Sequence, residues 1–259
     1  MKGGLEKQKR RLPRGYSLVE IMAAAGVGLV VILTMLSTLL SGTDGFDSAT
    51  RRIDALVEAR AAMRVMADDV STVISIGNEE FGWKAEDENF HEVWFLTLKP
   101  EGAQDVEKTQ GDVCFVHYFT AVTQEVPIEG AAFSRKLYRR FLSSEDVLGS
   151  LRQESLPAAD ANPEEAEAIA FNVTRFIARP LVVAEGDGAL VEWMRGAGSP
   201  ESLAIEFQVV DGDTAEMLQT VEDWNLSSAL SRNVIAADNE GASRRGRDFE
   251  MNLKIGQAN

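Results

Sequence analysis

Residues 14–40 read RGYSLVEIMAAAGVGLVVILTMLSTLL, and one acid, Glu20, stands at the head of an otherwise uncharged apolar run. From Ile21 to Leu40 there are 20 residues without a charge. As a helix they reach roughly 30 Å, the thickness of the hydrocarbon core of a bilayer. A carboxylate at the mouth of such a rod is costly unless something compensates it, which makes Glu20 a candidate functional residue.

The flanks orient the rod. Residues 1–15 hold Lys2, Lys7, Lys9, Arg10, Arg11 and Arg14 against Glu6 alone, whereas Asp44, Asp47 and Asp54 follow the run together with Arg51 and Arg52. The excess of basic residues before the span keeps residues 1–14 on the cytoplasmic side and exports the remainder. A secretory signal peptide is the competing reading, but its apolar stretch is about 7–15 residues, shorter than this one. Gly26 and Gly28 imitate a dinucleotide loop but lack the preceding strand and the third glycine. In a membrane helix, small residues serve close helix packing.

Composition narrows the function classes. The chain of 259 residues carries a formal net charge of −15. Without residues 1–15 it retains 20 basic and 40 acidic side chains, a net of −20. So acidic a body does not supply the Lys/Arg clusters that nucleic-acid binding needs. The single cysteine, Cys114, excludes an internal disulfide, and its place between Val113 and Phe115 reads as a small buried hydrophobe.

The stretch RGYSLVEIM (14–22) resembles the processing site of type IV prepilins and pseudopilins. In that family a basic leader ends in glycine, a prepilin peptidase cuts after it, the new terminal residue is N-methylated, and a glutamate is the fifth mature residue. The resemblance places the cut between Gly15 and Tyr16, methylation on Tyr16, and the assembly carboxylate at Glu20. Tyrosine replaces the usual phenylalanine, and the usual helix proline is absent. The resemblance further implies that the carboxylate of one subunit meets the terminal amine of its neighbour in a filament.

The organisation expected from these readings is a leader over 1–15, a membrane and filament-core helix over 16–45, an amphipathic helix over 46–76, and a β-rich domain over 77–259. In the second helix Ala49, Leu56, Met63 and Val70 recur every seven residues, with Ile53, Ala67 and Ile74 between them. Val57, Val65, Met66 and Val73 widen this stripe toward a face that packs on a sheet. Gly42 and Gly45 mark a weak point in the long helix these two segments make. Strands are expected at 91–98, 113–122, 136–142, 170–183, 189–194, 203–210 and 248–255, from their Val, Ile, Phe, Tyr and Trp content. A short helix at 214–225 capped by Thr214 and a mobile loop at 237–247 complete the reading. The fold class is therefore α+β, a long N-terminal helix on antiparallel sheet. The length, NVTRFIARPLVV, the strand around Trp193 and SPESLAIEFQVV are similar to J-type minor pseudopilins of type II secretion and W-type minor pilins.

Catalytic signatures are sparse. There is no G-x-S-x-G elbow, HExxH or P-loop, and His91 and His117 each lie within a strand-like run. Asp187, Asp211 and Asp213 offer oxygens suited to calcium, although no EF-hand register exists and glycine-aspartate turns account for them more simply. The NVT and NLS triplets match glycosylation acceptors. No cofactor is expected. The function expected is a non-enzymatic minor pilin or pseudopilin subunit, anchored in a bacterial inner membrane with its C-terminal domain periplasmic or extracellular. Its partners would be other pilin-like subunits, the prepilin peptidase and the inner-membrane assembly platform, with no nucleic acid. The alternatives are a single-pass anchored exported domain with its own ligand or enzymatic activity, and a major structural pilin.

Overall fold

The computed structural model describes residues 17–74, 81–100, 103–104, 111–124, 132–152, 157–184, 188–194, 199–226, 228–234 and 246–255. The chain forms two compact units, Met1–Ala49 and Thr50–Asn259. The secondary structure is α+β with antiparallel sheets, as expected from the sequence.

One helix, α1 (Leu18–Ser71), runs for 54 residues. Ser17 starts it, its hydroxyl and carbonyl both accepting the N–H of Glu20 at 3.2 and 3.0 Å. This is the N-cap arrangement, which satisfies one of the donors that a helix start leaves orphaned. The helix continues without interruption through Gly42 and Gly45. Each glycine costs only about 1 kcal/mol against alanine, too little to interrupt a helix of this length.

In the second unit, the buried face of α1 consists of Ala59, Ala62, Met66, Asp69 and Val70, and Val73 just beyond the helix continues it. This corrects the expected stripe in part: Met66, Val70, Val73 and Ile74 are buried, but Ile53 and Val57 are 59% and 60% exposed, and Met63 is only half-buried. A strict seven-residue spacing drifts around a 3.6-residue helix. The real stripe instead follows steps of three and four through two alanines, whose small size lets the helix approach other core residues closely.

The first sheet has the order β1-β2-β3-β4-β5, formed by β1 (Phe81–Ala85), β2 (His91–Leu98), β3 (Val113–Gln124), β4 (Phe133–Leu142) and β5 (Glu167–Ala170). The second has the order β7-β6-β8-β9, formed by β6 (Val173–Val183), β7 (Leu190–Glu192), β8 (Ser202–Val210) and β9 (Gly246–Lys254). Every pairing between these strands is antiparallel. One core joins α1 to both sheets, through Met66 and Val70 of the helix, Phe81, Phe95 and Leu137 of the first sheet, and Phe176, Ile205 and Phe207 of the second. Phe81 stacks on Phe95 at 5.9 Å and meets the edge of Trp193 at 5.8 Å. Gly82 pairs with Trp94, and a Cβ there would stand 2.3 Å from the indole, so this position of β1 needs glycine.

Several boundaries differ from expectation. The stretch 170–183 is two strands, because Asn172 takes a left-handed φ of +56°. Its amide oxygen accepts from Ser134 Oγ at 2.9 Å and its N–H donates to the same hydroxyl at 3.2 Å, which holds the corner. The helix expected at 214–225 is two short ones, α3 (Gly212–Ala215) and α4 (Val221–Trp224). Asp211 caps the first, where Thr214 was expected, and Thr220 caps the second in a reciprocal box with Asp223. Strand β1, helix α2 (Ser144–Leu151) and helix α5 (Ala229–Val234) were not anticipated. The expected loop at 237–247 lies mostly outside the described residues, and β9 already begins at Gly246.

Candidate functional site

Gly15 and Tyr16 lie outside the described residues. Glu20 sits in the first turn of α1, where an acid complements the positive end of the helix dipole. It is exposed and has no cationic partner among the described residues. Around it, Leu18 and Val19 are 75% and 74% exposed, and every large hydrophobic residue from Ile21 to Leu40 is exposed as well. An 18-residue window of this helix has a mean hydropathy of 2.3 and none of it is buried, so the helix is long and apolar enough to cross a membrane. The hydroxyls of Thr34, Thr38 and Thr43 donate to helix carbonyls at 2.8, 2.9 and 2.8 Å, which removes their need for water. No Cβ added at Gly26 or Gly28 would meet anything within 4 Å. Rod, small residues and a single acid together make a surface suited to packing in lipid or against other helices.

The candidate calcium oxygens have other partners. Asp211 accepts the Thr214 N–H at 2.9 Å and faces Arg52 Nε at 3.2 Å. Asp213 and Glu216 share one nitrogen of Arg51 at 2.9 and 2.7 Å. Asp187 lies outside the described residues. No group of three metal-ligating side chains occurs among the described residues.

Both histidines, Glu92 and Cys114 are buried. His91 Nδ1 is 3.0 Å from the Ala178 carbonyl. His117 is fully buried, its Nε2 3.3 Å from Glu92 Oε2. The His117 ring holds Glu92 below the ordinary carboxylate range against the opposing effect of burial, while burial and then Glu92 itself push Glu86 up. Cys114 is fully buried and its thiol is pushed up to about 11, chiefly by burial, so it is a poor nucleophile.

The most demanding polar cluster escaped the sequence reading. Asp69, 1% exposed on the core face of α1, receives Arg139 Nε at 2.7 Å and a second Arg139 nitrogen at 3.1 Å. Tyr118 donates its hydroxyl to the same carboxylate, and Lys99 Nζ stands 3.1 Å away. Burial alone would raise the Asp69 pKa, but Arg139, Tyr118 and Lys99 outweigh it and hold the carboxyl below its ordinary value. The signal was present: Asp69 falls three residues after Met66, on the buried stripe. The cluster ties α1 to β3 and β4 and sets their relative position through charge-assisted hydrogen bonds.

Comparison with known protein families, with curated proteins and with solved structures finds no match to this chain.

Proposed function

We propose that this chain is a minor pilin-like or pseudopilin-like subunit, cut after Gly15, methylated on Tyr16 and built into a filament through the apolar half of α1. The observation that carries the reading is the ordered motif Gly15-Tyr16-Ser17-Leu18-Val19-Glu20 at the head of a wholly exposed apolar helix. The continuity of that helix with a segment buried against antiparallel sheet supports it, because one helix then supplies both filament core and domain anchor. The acidic body faces the periplasm or the exterior. In the filament, Glu20 takes as its partner the terminal amine of the neighbouring Tyr16. Two unit charges about 4 Å apart at an effective dielectric of about 20 attract by roughly 4 kcal/mol, part of which desolvation offsets. The pair therefore contributes register as much as affinity.

Glu20→Ala tests the proposal. Its recovery in sheared filaments or with co-purified pilin-like subunits is expected to fall at least tenfold, while membrane fractionation of the monomer stays unchanged. Normal incorporation of Glu20→Ala would contradict the pairing.

A further inference from the structure

Strand β9 ends the second sheet. It pairs with β8 on one side, and among the described residues no strand pairs with its other side. Exposed edges of this kind are normally blunted by brevity, proline, bulges, charged side chains or inward-pointing charge. Strand β9 carries charges at Arg247, Asp248, Glu250 and Lys254 but none of the other devices: it runs for nine residues in unbroken register with β8, Val210↔Gly246 to Ser202↔Lys254. Phe249, Met251 and Leu253 lie half-buried against the core, while Asp248, Glu250, Asn252 and Lys254 are exposed.

We infer that the occupant of this edge is β9 of a second copy, paired antiparallel about a two-fold axis at Met251. Antiparallel strands keep their faces only when apolar positions oppose apolar ones. Centred on Met251, the pairing sets Phe249 opposite Leu253, Met251 opposite Met251, Glu250 opposite Asn252, and Asp248 opposite Lys254 at both ends. Both faces are then complementary, and opposite charges directly across an antiparallel pair stabilise it. Centring on Glu250 would oppose two glutamates, which is destabilising. Centring on Asn252 would oppose Asp248 to Gly256, beyond the end of β9, and shorten the ladder. The Met251-centred register thus uses most of the strand and joins the two four-stranded sheets into one of eight strands.

The test is a cysteine scan in the full-length, detergent-solubilised chain carrying Cys114→Ala. Met251→Cys is expected to give a disulfide-linked dimer on mild oxidation with copper–phenanthroline, because directly opposed Cα atoms lie about 4.5 or 5.5 Å apart. Glu250→Cys and Asn252→Cys are expected to cross-link at least fivefold less, because two residues of offset separate like positions by about 7 Å along the strand. Lys254→Glu opposes two acids and is expected to abolish the Met251→Cys cross-link, and adding Asp248→Lys is expected to restore it, which separates pairing from misfolding. Three results would overturn the inference: equal cross-linking at all three positions, a dimer insensitive to Lys254→Glu, or capture of a different polypeptide by Met251→Cys.

Discussion

Replacing Asp69 with alanine is expected to lower the stability of the 50–259 unit by about 3–5 kcal/mol, the cost of leaving a buried charge without its partner. Arg139, whose side chain is 17% exposed, would lose both of its carboxylate bonds, and the buried Tyr118 hydroxyl would lose its acceptor. Urea unfolding followed by circular dichroism measures the loss. Asp69 also gives the unit an acid dependence of known sign. Its carboxyl pKa is below its ordinary value when folded, so its stabilisation is fully present above the unfolded-state value of about 3.9. It is lost as pH falls from there through the folded pKa. Asp69→Asn should lack this increment, so the stability gap between it and the wild type should narrow steadily below about pH 4. A gap that stays constant with pH would assign the loss to packing rather than charge.

Trp193→Ala is the second change with a large expected effect, about 3–5 kcal/mol. Trp193 is 2% exposed and belongs to the core shared by α1 and both sheets. It follows β7 of the second sheet, its N–H donates to the Pro180 carbonyl at 2.8 Å, and its ring meets Phe81 of the first sheet edge-on. Truncation removes the largest side chain at that junction and leaves a cavity that rigid strands close only in part. Trp193→Phe keeps an aromatic ring at the site and is expected to cost less than half as much. Circular dichroism in urea should show a lower midpoint with an unchanged slope; equal stability of Trp193→Ala and the wild type would contradict the role given to this ring.

The coarse plan was legible because its signals are local. An uncharged run of 20 residues admits few structures, and period-two alternation placed β8 within one residue of its observed start. HEVWFLTL gave both ends of β2. What could not be read depends on partners distant in sequence. The stripe of α1 followed its fit to the sheets and not an ideal heptad, so Val57 is exposed where Ala59 is buried. The split at Asn172 depends on Ser134, 38 residues away. Asp69 looked like one of many acids, and only its bonds to Arg139, 70 residues on, distinguish it. For the candidate site, Glu20 was visible from its isolation in the apolar run, whereas Asp211 and Asp213 were ambiguous until Arg51 and Arg52 were seen beside them.

Mass spectrometry of the N-terminus of protein purified from its native membrane tests the central claim most directly. Cleavage after Gly15 predicts a chain that begins at Tyr16 and carries an N-methyl group. A chain that retains its basic head, or one that begins beyond the apolar run near Gly42, would contradict filament assembly through α1.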